Sequence, residues 1–370
     1  MDESTNTLVI GGGQAGLAAA RSLARRGVEV LVLEENARIG NQWRQRWDSL
    51  HLFTPARWDG VADMPYPGDQ DALPSKDEIA GFLESTADAW RLPVRTGQRV
   101  TALRHSHDGS FEAEVASASG GGRIRAERVV VASGHTRLAN IPSLAAELDR
   151  SIVQLDASTY RRPSDVAGGR ILVVGAGNSG AEIAIELARA GRETVLAGRD
   201  VGRIPPVAYL FGGRPFWFFA TRVTDVGRPI GRRIAARAIH HGTPIIGMDP
   251  REIARAGVRR AGRVASVRDG LPVPDGGEPI EADAVIWCTG FRADYSWIQL
   301  PIFDAAGRPR LDRGIVDGVP NLAFMGLPFE FSLSSALIGG AGRDAERVAD
   351  ALLAAPAPSG VPTERATTVA

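Results

Sequence analysis

The residues best suited to chemistry in this chain are glycines. Gly11-Gly12-Gly13-Gln14-Ala15-Gly16 and Gly175-Ala176-Gly177-Asn178-Ser179-Gly180 both read G-x-G-x-x-G. In this spacing the first glycine allows a tight turn and the second lets the backbone approach a pyrophosphate. The third lets a helix pack close to a strand. A helix opening there offers free N–H groups and positive dipole to phosphate. Each loop follows an apolar run, TLVIG at 7–11 and ILVVG at 171–175, and precedes a helical pattern. Both loops therefore carry the context that dinucleotide binding requires.

The repeats differ where the ribose would lie. Glu34 ends the strand after the first helix, 23 residues beyond Gly11, and a carboxylate there accepts hydrogen bonds from ribose hydroxyls. The matching strand of the second repeat ends Ala197-Gly198-Arg199. There the acid is gone, and Arg199 presents a planar cation suited to a 2′-phosphate. The pair reads as a resident FAD at the first loop and an exchanging NADPH at the second, with hydride passing between them.

Other chemistries are excluded or weak. Cys288 is the single cysteine, which rules out an internal disulfide, a CxxC redox pair and a cysteine zinc cluster. Lys76 is the single lysine, and it sits at a helix start, not in a Schiff-base setting. The six histidines show no HExxH spacing, so no metal is expected. Lys+Arg and Asp+Glu balance at 43 each without a block of like charge, which points to neither nucleic acid nor an anionic membrane as partner. The acidic start MDESTNT lacks a signal-peptide pattern, and no apolar run reaches the ~18–20 residues of a membrane span. A cytoplasmic protein is expected; the sequence allows a homodimer without specifying one.

The elements that must position the loops follow from pattern. Residues 7–11, 14–26 and 28–34 read as strand, helix and strand, one βαβ unit, and 171–199 repeats it. SKDEIAGFLESTADAW reads as a helix with a Ser75/Glu78 capping box. Segments 98–104, 111–116 and 123–132 read as a meander, with the glycines at 120–122 making the last tight connection. Residues 200–260 read as irregular, 281–290 and 321–326 as strands, 335–353 as a helix. The tail from 355 reads as disordered. The fold class is α/β, with two Rossmann-type dinucleotide-binding domains. Expected boundaries are 1–160 for the first part of the FAD domain, 165–280 for the NADP domain and 281–354 for the second part of the FAD domain, with 355–370 as tail.

Several segments together resemble the class B flavin-containing monooxygenases, and most closely their CzcO-like and YUCCA-like branch. They are VIGGGQAGLAAA, ARIGNQWRQRWDSLHLFTPARWDG, DMPYPGD, VVVASG, ILVVGAGNSGAEIA, VIWCTGF and FSLSSALIGGAG. The resemblance spans about residues 6–352. It implies a glutathione-reductase-like fold with the NADP domain inserted in the FAD domain. It assigns Gly11, Gly13, Gln14, Ala15, Gly16 and Glu34 to FAD, with Gly40, Gln42, Trp43 and Val100 alongside. Gly175, Gly177, Asn178, Ser179, Gly180 and Arg199 fall to NADPH. Ser133-Gly134 and Thr289-Gly290 end the strands that connect the two domains.

The implied reaction is oxygenation of a small organic substrate by O2 through a C4a-(hydro)peroxyflavin. An NAD(P)H:acceptor reductase and a catalytically altered nucleotide-binding protein are the alternatives. Because the cofactor carries the hard step, side-chain catalysis is not specified; Phe53, Thr54, Asp156 and Tyr160 are the candidates. Departures from the family concern these positions. Arg150, Ile152 and Asp156 stand where its signature has Phe, Gly and His, with Tyr160 as the final aromatic, and Phe53-Thr54 replace an Asn-containing stretch. They leave fold and cofactors intact and bear on oxygenation and substrate.

Overall fold

Alternation along four apolar strands divides the first half of the molecule into two cores. The computed structural model describes residues 2–238 and 244–355, so His240, His241 and the tail from residue 356 lie outside it. Strands Val319–Phe324, Gly120–Val131, Asp2–Ile10, Val30–Leu33 and Val94–Arg95 run parallel in that order. Val9, Val30, Val32 and Val130 face one side, under helices Gln14–Ala24 and Ala341–Ala354. Leu8, Ile10, Leu31, Leu33, Val129 and Val131 face the other, where they meet a meander. A parallel sheet covered on both faces explains the unbroken apolar runs at 8–10, 30–33 and 129–131.

The meander joins Arg99–His105 and Phe111–Ser117 to the start of Gly120–Val131. Its last turn is Ala118-Ser119, and the three glycines are strand residues paired with 115–117, not the connection expected. Helix Lys76–Ala89 begins on the expected capping box, with the Ser75 amide donating to Glu78 Oε2 at 2.8 Å. Its single lysine is buried, its ammonium donating to Asp77 at 3.0 Å.

A second, wholly parallel sheet runs Arg259–Ala261, Glu193–Ala197, Arg170–Val174, Ala284–Trp287 and Val153–Asp156. Its strands all come from residues 153–287, between strands of the first sheet, as an inserted domain requires. The boundaries at 160 and 281 need moving. Val153–Asp156 and Ala284–Trp287 flank one another in the second sheet, whereas the sequence reading gave both to the first domain. A buried apolar strand carries no mark of which sheet it will join; pairing decides.

Two further expectations change. The segment expected to be irregular contains helices Leu210–Phe218, Pro229–Ala238 and Pro250–Arg255, with a π-helical turn at Phe219–Val223. Gly212, Gly213 and Pro215 hide the first of these in the sequence, because they are breakers by type; a left-handed kink at Phe211–Gly213 accommodates them. The C-terminal helix starts at Ala341, not Ser335, after 3₁₀ turns at Leu333–Ala336 and Ile338–Gly340.

Packing is close beneath the glycine loops. A Cβ on Gly180 would stand 1.8 Å from the Gly175 carbonyl oxygen, and one on Gly16 would stand 1.9 Å from that of Gly11. Backbone cannot yield as a side chain can. Gly180→Ala is therefore expected to cost about 3 kcal/mol or more in urea denaturation. Gly177→Ala, whose Cβ meets nothing within 4 Å, is expected to cost under about 1 kcal/mol. Equal losses would contradict this packing.

Candidate active site between the two glycine loops

The two loops match atom for atom. Gly11 and Gly175 both have φ of +111°, and a Cβ on either would strike the carbonyl oxygen of the strand end behind it, Ala132 at 2.4 Å and Cys288 at 2.2 Å. Gly13 and Gly177 cap helices Gln14–Ala24 and Asn178–Arg189 with no side-chain hydrogen bond, and open space lies where their Cβ atoms would be. Unused N–H donors, a helix dipole and room at the second glycine form a cradle that fits a pyrophosphate.

Glu34 sits where the sequence places it, buried and lining the first cavity. Its Oε2 accepts from the Gly12 amide at 2.8 Å, and its Oε1 from the Asn36 amide at 2.9 Å and the Asn36 side chain at 2.6 Å. The carboxylate thus ties the loop to the strand end and retains lone pairs toward the cavity. In the second repeat Gly198 fills the equivalent place; a Cβ there would come 2.7 Å from the Ala176 amide nitrogen. That glycine is required by the loop itself. Arg199 beside it is exposed and lines neither cavity described below.

Two cavities open from the first loop. One, of about 290 Å³, is lined by Gly11, Gly13, Gln14, Glu34, Gly40, Gln42, Trp43, Val100 and Ser133 among others. The other, of about 300 Å³, is lined by Gly13, Gln14, Ala15, Gln42, Trp43, Gly134, Asn178 and Ser179, and by the apolar Trp47, Leu50, Leu52, Phe53, Leu337 and Ile338. Gly13, Gln14, Gln42, Trp43, Arg46, Ala132 and Thr136 belong to both, so the two form one trough running from the Glu34 end to the second loop. Gly40 shapes its wall: φ is +77°, and a Cβ would meet the Ala80 carbonyl oxygen at 2.6 Å.

Other expected residues brace the trough without lining it. Gly16, Gly175 and Gly180 are packing glycines. Thr289 Oγ1 donates to the Asn140 carbonyl at 2.6 Å and the Asn140 amide donates to that of Gly290 at 2.9 Å, which ties the two strand crossings together. Asn178 both lines the trough and braces it: its Oδ1 accepts from the Ile246 amide at 2.8 Å, anchoring the helical insert to the second loop.

The four catalytic candidates separate. Phe53 and Thr54 line the second cavity; Asp156 and Tyr160 line neither. Asp156 Oδ1 accepts from the Ser158 amide at 2.6 Å and its carbonyl from Tyr160, so it shapes a turn at the end of its strand. Tyr160 is 1% exposed, and its hydroxyl donates to Glu186 Oε2 at 2.7 Å. Their four-residue spacing is a local turn, not an approach to a ligand.

Residues that sequence reasoning missed complete the trough. Arg46 lies in both cavities, donates to Thr136 Oγ1 at 3.2 Å and stacks over Phe291 at 4.9 Å. Burial lowers its pKa, as does Arg161, while Asp156 acts against them. Gln42 Nε2 donates to the same hydroxyl at 2.8 Å. His135 lines the second cavity, with its imidazole held below its ordinary pKa by burial. Glu182 lines it too, pushed up to about 7 by burial and then by Glu186. Asp59, 2% exposed, accepts from Thr54 Oγ1 at 2.6 Å through Oδ1, while Oδ2 has no partner. In the sequence each is one polar residue among many; only the walls they share distinguish them. Cys288 packs behind the second loop, and burial raises its thiol pKa, so it is no nucleophile.

Comparisons with known proteins agree with this geometry. The family model described as pyridine nucleotide-disulphide oxidoreductase matches residues 8–204. A CzcO-like oxidoreductase of Geobacillus kaustophilus is 36% identical, over 95% of this chain and 99% of its own. The indole-3-pyruvate monooxygenase YUCCA1 of Oryza sativa subsp. japonica is 27% identical, over 79% of this chain and 78% of its own. A solved flavin-containing monooxygenase from Stenotrophomonas maltophilia superposes with a TM-score of 0.77 at 26% identity, covering 95% of this chain and 99% of the other.

Asp59 gives the trough a pH signature. Burial pushes its carboxyl up to about 7 from 3.8, against the hydrogen bond from Thr54. The folded chain keeps this proton where the unfolded chain has released it. The stabilisation is complete below about pH 4 and is lost as pH rises through about 7. The melting temperature is expected to fall between about pH 5 and about pH 8, and Asp59→Asn to flatten that fall in part, Glu182 supplying the rest. An unchanged slope in Asp59→Asn would show that the carboxyl is ionised in the fold.

Proposed function

Since the chain belongs to the pyridine nucleotide-disulphide oxidoreductase family, on its class B flavin monooxygenase branch, we propose that it is an NADPH-dependent, FAD-containing monooxygenase of a small organic substrate. What carries the reading is the single trough, lined by the first loop where its two cavities join and met by the second loop at the end away from Glu34. Two nucleotides held by these loops meet at the shared wall of Gly13, Gln42, Trp43 and Arg46.

In this reading the first helix N-terminus and Gly13 hold the FAD pyrophosphate, and Glu34 holds its ribose. Gly40, Gln42, Trp43, Val100, Ser133 and Gly134 form the walls around it. Gly177, Asn178 and Ser179 receive the NADPH pyrophosphate, and Arg199, free in solvent at the strand end, reaches its 2′-phosphate. Bound FAD, once reduced by NADPH, supplies the activation of O2. The chain's own work is positioning and drying. Trp47, Leu50, Leu52, Phe53, Leu337 and Ile338 exclude water from the reacting end. Asp59 lines the cavity with a carboxyl that burial pushes up to about 7, so near neutral pH it can give or take a proton. Arg46, on the wall that both cavities share, keeps a half-buried positive charge for an anionic group of nucleotide or substrate.

The family's name mentions disulphides, but a chain with one cysteine cannot run a dithiol relay. Electron transfer to another acceptor is the reading to be separated. Mixing the NADPH-reduced holoenzyme with O2 is expected to give a transient flavin spectrum that is neither oxidised nor reduced, prolonged by NADP⁺. Immediate return of oxidised flavin with stoichiometric peroxide would sink the oxygenase reading.

Two variants test the nucleotide assignments. Gly13→Val is expected to purify colourless, because a side chain fills the pyrophosphate space; full flavin content would refute the cradle. Arg199→Glu is expected to raise KM for NADPH by about tenfold or more while leaving that for NADH nearly unchanged. Equal effects on both would remove Arg199 from the phosphate.

A further inference from the structure

The helical insert carries an apolar surface that the oxidoreductase reading does not use. Val207 is 60% exposed, Phe211 76%, Phe218 64% and Ile230 56%, with Leu210 and Phe219 exposed as well. These are all but three of the large exposed hydrophobic side chains among the described residues, and they fall within 24 consecutive positions. Phe211 has φ of +52°, a left-handed backbone that bulky residues rarely adopt, yet it holds its ring in solvent.

The surface is held rigidly. Trp217 stacks on Trp58 with ring centroids 5.1 Å apart, and Trp58 Nε1 donates to the Gly212 carbonyl at 2.7 Å. Phe216, Ala220 and Ile246 point inward, packed against Phe53 and Leu337 of the substrate cavity. The fold buries one side of this segment as a cavity wall and leaves the other side aromatic and wet. An apolar patch of this kind marks a contact surface.

Charge says what kind. Residues 201–238 hold seven arginines and one acid, Asp225, in a chain whose charges balance as a whole. Arg214, Arg222, Arg228, Arg232 and Arg233 are exposed. The charge pattern of the sequence pointed away from an anionic surface because these arginines are spaced by apolar residues and form no run. Exposed Phe, Leu and Ile beside arginines, with a single acid among them, is the composition that lies in a lipid headgroup layer. We propose that the segment Val207–Arg233 docks the protein on an anionic lipid bilayer, with Phe211 and Phe218 inserted and the arginines on the headgroups. The attachment is peripheral; no helix of the described residues is long and apolar enough to cross a membrane.

The test is flotation of the FAD-loaded protein with vesicles of phosphatidylcholine, with and without phosphatidylglycerol. Wild type is expected to float with the mixed vesicles, less at high salt, and weakly with phosphatidylcholine alone. Phe211→Asn with Phe218→Gln, the first chosen because Asn tolerates the left-handed backbone, is expected to weaken binding by at least about tenfold. Flavin content and melting temperature should stay as in wild type. Arg228→Gln with Arg232→Gln and Arg233→Gln is expected to abolish the preference for phosphatidylglycerol, and it decides the matter if the aromatic variant loses flavin. No flotation of wild type overturns the proposal, as does undiminished flotation of both variants. So does a dimer in analytical ultracentrifugation that the aromatic variant dissociates, since a second copy would then cover the surface.

Discussion

Contact between the third glycine of each loop and the carbonyl of the first sets the geometry of this molecule. Gly16 against Gly11 and Gly180 against Gly175 bring each helix onto its strand closer than any side chain permits. That approach aims two helix N-termini along the strands and out of the sheet ends. It also leaves the second glycine of each loop facing open space. The strand ends Ala132 and Cys288 press on the first glycines from behind, so the crossings between the sheets are locked to the loops they follow. One trough exists because both constructions face it, the first where its two cavities join and the second at one end.

The constraint also explains where polar groups sit. A trough between sheets buries whatever lines it, and burial shifts titratable groups. Asp59 and Glu182 are raised to about 7, while His135 and Arg46 are lowered. These residues come from separate segments and meet only across the cavity. The same packing makes Asp156 and Tyr160 structural: one closes a turn, the other gives its hydroxyl to Glu186 within the second domain's core. The departures from the family signature at Arg150, Ile152 and Asp156 therefore lie in a bracing strand and the turn before it, and none of the three lines either cavity.

The helical insert extends this logic outward. Its inner side completes the apolar wall at Phe53 and Leu337, and its outer side presents aromatic rings beside arginines. Site and surface are opposite sides of a single layer, so the position of the surface relative to the trough is set by the same core.

Much was legible without coordinates. Two G-x-G-x-x-G loops in strand–turn–helix context are local chemistry, and they marked both helix N-termini and the duplicated α/β fold. Composition excluded disulfide and cysteine–metal chemistry. What only the tertiary structure decided depends on contacts between distant segments. The strands Val153–Asp156 and Ala284–Trp287 joined the second sheet because pairing, not pattern, assigns a buried strand. Residues 210–223 became helical across glycines and a proline because Trp58 and the cavity wall hold them. Asp59, Glu182, Arg46 and His135 became site residues because burial, which no single segment encodes, brought them to one wall.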